Sequence, residues 1–312
     1  MSLRTYTVAC LAGDGVGSEL MAEATRALRA VSSLYGFRIE ELHVPFGSES
    51  FSRSGHRLPA ETREACRQAD AVLVGMARDS ALQGLVAELD LRARVARVRA
   101  GSTDVAVVSP TGAETERWTV ARAFELADSR RASVTAVGVD DRWRALVDEE
   151  AERHRPTRVE HVAFADALAQ LAPATTLADV VLVETQLAET LETVVASGAN
   201  GNRVSATARL AGHGPGVFFP THGPVFSVAG YGVANPNGML LATAMMLGEG
   251  LGERQAARTL VRAASDALGA GHRTQDMMST GVASTTREFM DVVLGELLTA
   301  RRDTEFFMET PA

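Results

Sequence analysis

The sequence predicts an α/β fold, and three observations carry the prediction. Short apolar runs at 5–11 (TYTVACL), 71–74 (AVLV), 103–108 and 132–137 read as buried strands. Helical segments follow them in alternation, the arrangement that covers a sheet with helices. The 312 residues suffice for two domains or one large one.

In chain order, the strand at 5–11 leads through GDGVGSE into an amphipathic helix at about 20–34. The run from Gly13 to Gly17 has the wrong spacing for a dinucleotide fingerprint, because Ser18 stands where a further glycine is required. On its residues alone it is a strand-to-helix turn. A strand near 37–45 precedes Leu58-Pro59, which opens a helix at its favoured first-turn position. The strand at 71–74 comes next, then a helix at 82–91 and the arginine-rich segment LRARVARVRA. The strand at 103–108 and a helix at 114–129 are joined by SPTGAET. After the strand at 132–137, a helix forms around Trp143. Residues 198–220 read as a glycine- and proline-rich crossover, with helices expected at about 238–250, 253–269 and 283–300.

Composition excludes several classes. A formal charge of −8 and a pI near 5.5 argue against a general nucleic-acid or membrane-surface binder. Two cysteines, Cys10 and Cys66, are too few for a disulfide framework and suit a reducing compartment. With no apolar run of membrane length, the expectation is a soluble cytoplasmic protein. All 31 basic residues are arginine, and the only tyrosines are Tyr6, Tyr35 and Tyr231.

The most informative stretch is 221–236, THGPVFSVAGYGVANP. Its glycines permit backbone angles and close approaches that side chains forbid. Asn235 offers an amide that both donates and accepts along the edge of a base. Turn chemistry between a strand and a helix explains the same composition.

This stretch resembles the adenosine-binding loop of the isocitrate/isopropylmalate dehydrogenase family, H-G-S-A-P-D-I-A-G-x-G-I-A-N-P. His222, Gly223, Ala229, Gly230, Gly232, Ala234, Asn235 and Pro236 match it. The opening GDGVGSE resembles the family's G-D-G-I-G-P-E, with Glu19 retained, and ADAVLVG, AFELA, ADVVLVETQLAETLETVVA and 272–289 resemble later landmarks. The resemblance therefore spans nearly the whole chain. It implies a two-domain isopropylmalate dehydrogenase-like fold, with a large domain from 1–99 and 199–312 and a smaller central domain, 100–198, that supplies dimer contacts. It also implies a homodimer, or a heteromer with an active homologue.

The family oxidises a 2-hydroxy acid with NAD or NADP, assisted by magnesium or manganese as a Lewis acid. A lysine takes the hydroxyl proton, a tyrosine protonates the enol, and arginines hold the substrate carboxylates. Carried over by resemblance, the cofactor-binding positions are His222, Gly223, Ser227, Val228, Gly230, Asn235 and Asp276. The metal positions are Asp166 and Glu189, with uncharged Thr193 in the third place. The first substrate arginine is replaced by Val86, while the second falls on Ala96 or, one residue along, Arg97. A solvated basic face explains Arg97 equally well. The catalytic lysine falls on Val139, and the sequence contains no lysine at all. The segment that carries the catalytic tyrosine and a further arginine shrinks to SPTGAET.

Three readings follow. The chain is a divergent oxidoreductase with another base, for which His161, Asp166 and Glu189 are candidates; or a non-catalytic, oligomerising regulatory relative; or a non-redox lyase or isomerase. The ligand is a small acid or a nucleotide in each case.

Overall fold

A computed structural model describes residues 3–76, 79–100, 103–138, 140–171, 179–197, 204–223, 225–278 and 281–309. In chain order the elements are β1 (Arg4–Gly13), α1 (Gly17–Tyr35), β2 (Phe37–His43), α2 (Gly47–Ser54), α3 (Ala60–Gln68), β3 (Ala71–Met76), α4 (Asp79–Glu88), β4 (Leu91–Ala100) and β5 (Thr103–Pro110). A short 3₁₀ turn, Ala113–Thr115, leads into α5 (Glu116–Asp128), β6 (Ser133–Val137), α6 (Asp141–Ala151), β7 (Arg158–Val162), α7 (Phe164–Leu171), β8 (Val180–Val183) and α8 (Thr185–Ser197). The chain continues through β9 (Val204–Ala211), β10 (Gly216–Pro220), α9 (Asn237–Met245), a π turn at Met246–Gly250, α10 (Arg254–Gly269) and α11 (Thr286–Glu309).

These elements form two units, Met1–Leu89 with His213–Ala312, and Asp90–Gly212. The boundaries lie 10 and 14 residues from those expected, because β4 and β9 pair with each other and β4 with β5. All three strands therefore belong to the central unit.

In the first unit the strands run β2-β1-β3-β10, all parallel. Every residue of β3 is buried, as expected of a parallel strand covered on both faces. Leu20, Met21, Ala24, Ala27, Leu28 and Val31 recur at helical spacing on α1 and are buried. Each large member of such a stripe stabilises the fold by about 1.5–3 kcal/mol relative to an exposed side chain. α9 is buried throughout, so it is apolar all round rather than amphipathic.

The second unit orders its strands β9-β4-β5-β8-β6-β7. β4 is antiparallel to both neighbours, and the remaining pairs are parallel. Ala96, Val98, Val105, Val107, Val137, Val181, Val183 and Leu191 form one core with Ala167 of α7 and Ala188 of α8.

Two sequence expectations change. The segment 91–100 is a strand, and the helix before it ends at Glu88. Arginine alternates with apolar residues over 91–95 and again over 96–100, and the phase changes at the buried pair Val95-Ala96, so the strand carries arginines on both faces. The expected crossover at 198–220 contains β9 and the apolar strand β10. Among the described residues no helix is long and apolar enough to cross a membrane.

Candidate functional site

Parallel strands direct their carboxyl ends to one edge, the place where ligands bind in open α/β sheets. In the first unit that edge carries the turn after β1 and the loop after β10. The order β2-β1-β3 also reverses direction at β1, a topological switch point.

The turn after β1 is packed backbone to backbone. Asp14 N–H donates to the Met76 carbonyl at 2.8 Å, and Val16 N–H to the Val225 carbonyl at 3.0 Å. A Cβ on Gly13 would lie 1.5 Å from the Met76 carbonyl oxygen, and one on Gly15 would lie 2.2 Å from that of Val225. Both glycines also have positive φ, +76° and +57°. They are required by the approach of this turn to β3 and the loop, which accounts for a glycine-rich run without a dinucleotide fingerprint. The Asp14 carboxylate is buried and accepts from Ser48 N–H at 2.6 Å, closing the first turn of α2.

The loop at 221–236 is held at three places. Glu19, in the first turn of α1, accepts from the backbone N–H groups of Gly230 and Gly232, the latter at 3.1 Å. Thr286, at the start of α11, donates its N–H to the Gly232 carbonyl at 2.8 Å and its hydroxyl to the Ala234 carbonyl at 2.6 Å. Asn235 donates Nδ2 to Asp276 Oδ2 at 3.0 Å, while its Oδ1 accepts from the backbone and side chain of Asn237 at 3.0 and 2.9 Å. The Thr274 hydroxyl donates to the other Asp276 oxygen at 2.6 Å.

His222 is electrostatically coupled to Asp276. Its pKa is lowered because partial withdrawal from water outweighs the opposing pull of the Gly223 backbone and the Asp276 charge. His222, Asn235 and Asp276 are thus gathered at one end of the first unit. Ser227 is exposed and Val228 half-buried in the same loop, whereas the Gly230 N–H is turned to Glu19. Gly223 is exposed beside His222.

The candidates in the second unit have other surroundings. Arg97 makes a bidentate pair with Asp104, Nε to Oδ1 at 2.9 Å and Nη2 to Oδ2 at 2.7 Å. Arg99 and Arg130 reach the same carboxylate, and Arg130 also binds buried Asp179 at 2.6 Å. This network ties β4, β5 and the end of α5 together, so Arg97 has a structural role whatever else it does. Sequence reasoning missed Asp104 and Asp179, because one-dimensional spacing does not reveal cross-strand partners.

Asp166 lies in the first turn of α7 and lines an open pocket of about 300 Å³ with Glu160, His161 and Gln170. His161 pairs with Asp148 at 2.7 Å. Glu189 and Thr193 are exposed on α8, and the Thr193 hydroxyl donates to the Glu189 backbone carbonyl at 2.8 Å. Among the described residues no group of three His, Cys, Asp or Glu side chains is placed to hold a metal ion. Val139 lies outside the described residues.

SPTGAET folds into a closed turn. The Thr111 hydroxyl donates to the Leu91 carbonyl at 2.9 Å, and the Thr115 hydroxyl accepts from the N–H groups of Thr111 and Gly112 at 3.1 and 3.2 Å. Two tyrosines are structural: Tyr6 donates to Glu253 at 2.8 Å, and Tyr35 hydrogen-bonds Thr259 at 2.5 Å. Tyr231 is 75% exposed on the loop.

The first unit is an open parallel α/β sheet with a candidate ligand loop at its carboxyl edge. A β-decarboxylating dehydrogenase from Thermococcus kodakarensis superposes with a TM-score of 0.84 at 24% identity, covering 96% of this chain and 98% of that one. An isocitrate dehydrogenase from Methylococcus capsulatus superposes with a TM-score of 0.77 at 18% identity, covering 94% and 99%. The isocitrate/isopropylmalate dehydrogenase profile matches residues 7–93 and 90–293. The 3-isopropylmalate dehydrogenase of Prochlorococcus marinus is 30% identical, covering 89% of this chain and 95% of the relative. The chain belongs to the isocitrate/isopropylmalate dehydrogenase family. The alignment with the Prochlorococcus protein runs over 342 positions, more than the 312 residues here, so that relative has residues this chain lacks.

Proposed function

We propose that this protein is a divergent member of its family that binds an NAD- or NADP-type dinucleotide and has departed from ordinary oxidative decarboxylation of a 2-hydroxy acid. The observation that supports this best is the linkage of Asn235, Asp276 and Thr274, coupled to His222, on a loop anchored to α1 and α11.

In this reading Asn235 and Asp276 meet the adenosine end of the ligand through hydrogen bonds. His222, with its lowered pKa, presents an uncharged ring at pH 7. Ser227 and Val228 supply neither a carboxylate for a ribose hydroxyl nor a cation for a 2′-phosphate, so both dinucleotides are admitted. A bound nicotinamide supplies a hydride acceptor. The chain's own residues do not supply the family's remaining chemistry. There is no lysine to take a hydroxyl proton, and Tyr6 and Tyr35 are committed elsewhere. Loss of a general base alone costs roughly 10²- to 10⁴-fold in rate. Asp166 and Glu189 offer two carboxylates where the family uses three, which disfavours tight binding of a hard cation.

Titration of the purified protein with NAD, NADH, NADP and manganese tests the reading. Dinucleotide binding at millimolar concentration or below, weakened in Asn235→Ala, is the expected result. No binding of any dinucleotide at millimolar concentration would sink it. Unchanged manganese affinity in Asp166→Asn with Glu189→Gln would remove those residues as ligands.

A second reading is a regulatory partner, as a homodimer or with a lysine-bearing homologue. It is favoured by the closed turn at 111–115 together with the absence of lysine. Co-purification with such a homologue, and a change in that homologue's kinetics, would select it.

A further inference from the structure

We infer that Glu19 is the positioning residue that sets the conformation of the 221–236 loop and, through it, the protein's affinity for nucleotide; the second part rests on the function proposed above. Gly230 and Gly232 both have positive φ, +85° and +65°, and a Cβ on either would meet nothing within 4 Å. Packing therefore does not demand glycine at these positions; backbone conformation does. Those left-handed angles aim two N–H groups at one carboxylate, Gly230 at Oε1 and Gly232 at Oε2. Two converging backbone donors make a small anion-binding concavity of the kind that takes phosphate. Here the anion is a side chain of the protein itself.

Glu19 suits the task for two further reasons. It lies in the first turn of α1, where the helix dipole favours a negative charge. The helix that carries it is anchored by six buried apolar residues, so the carboxylate is presented from a rigid support. The loop comes round to the same element from its other end, since Val16 N–H binds the Val225 carbonyl at 3.0 Å. The segment between 225 and 232 is thus pinned at both ends to the start of α1, and Asn235 follows three residues later. With both N–H groups committed to Glu19, a dinucleotide's phosphates bind elsewhere, and Glu19 acts on the ligand only through the shape of the loop.

Amide hydrogen exchange and nucleotide titration on Glu19→Gln and Glu19→Ala test this, with the cooperativity of thermal unfolding confirming that each variant folds. Glu19→Gln keeps one acceptor and places an amide N–H against the other donor, so its effect should be intermediate. Exchange at Gly230 and Gly232 should quicken at least about 10-fold in Glu19→Ala, because charge-assisted hydrogen bonds are lost. Dinucleotide Kd should weaken by roughly the same factor, with Glu19→Gln in between. Unchanged exchange in both variants would overturn the pin itself. Faster exchange with unchanged Kd, in a wild type that binds dinucleotide, would overturn the positioning role. Faster exchange in variants of a protein that binds no dinucleotide would overturn that role by removing the nucleotide reading, with the pin established separately.

Discussion

Asn235 donates its side-chain amide to Asp276 at 3.0 Å, joining residues 41 apart in sequence. The bond couples the end of the 221–236 loop to the segment between α10 and α11. Asn235 also accepts from the N–H of Asn237 at the start of α9, so one amide serves the helix terminus and the candidate ligand site together.

Asn235→Ala should therefore have two separable effects. Loss of the helix-terminal acceptor costs about 1 kcal/mol of stability. Loss of the contact at the ligand edge, with Asp276 left unpaired by Asn235, should weaken dinucleotide binding by about 10- to 100-fold. Asp276→Ala should reproduce the binding loss without removing the Asn237 contact. Calorimetric titration and thermal unfolding of both variants would separate the effects. Equal stability loss with unchanged Kd would place Asn235 in the fold alone.

The glycines of the β1–α1 turn allow a sharper contrast. Gly13→Ala would place a methyl 1.5 Å from a backbone oxygen, and Gly15→Ala 2.2 Å from another, each at positive φ. Gly55, at φ +75°, has nothing within 4 Å. Gly55→Ala should cost about 1–2 kcal/mol, the left-handed penalty alone. Gly13→Ala and Gly15→Ala should cost well beyond that, to the point of poor soluble yield. Similar melting temperatures for all three would show that the turn relaxes.

This contrast also marks how far the sequence could be read. The alternation of apolar runs with helical segments made the α/β class legible, and the order of motifs around His222, Asn235 and Asp276 made the family legible. The glycines at 13–17 were visible as a turn, but their reason, contact with Met76 and Val225, depends on residues far along the chain. β4 escaped because its four arginines change phase at Val95-Ala96, which breaks the period of two, and β9 because small residues carry weak strand signals. Arg97 was legible as a residue with two possible roles. Only the cross-strand register, which places Arg99 opposite Asp104 and Arg97 two residues along on the same face, identifies its partner.

The two cysteines yield a chemical prediction. Burial pushes both the Cys10 and Cys66 thiols up to about 12. Because the thiolate is the reactive form, both should resist a disulfide reagent at pH 8 in the native protein. Denaturant should release two thiols per chain. Rapid labelling of either in the folded state would contradict the burial of β1 or α3.

The Arg97–Asp104 network predicts an acid limb in stability. Burial alone would raise the Asp104 pKa, but the hydrogen bond and charge of Arg97, with the charges of Arg130 and Arg99, hold it well below the usual carboxylate range. In the unfolded chain Asp104 titrates near the ordinary value of about 3.9. The folded pKa is the lower one, so the unfolded state binds the proton more readily. The resulting stability is complete above about pH 4 to 5 and is lost as pH falls toward the folded value. Asp104→Asn should cost about 3 kcal/mol at pH 7 by leaving Arg97, Arg99 and Arg130 facing one another without their shared carboxylate. The variant should also lose this acid-dependent step. Thermal unfolding of wild type and variant from pH 7 to pH 3 measures both. The difference in stability between them should narrow below pH 4; a difference constant over the whole range would mean that Asp104 is not the titrating anion of the network.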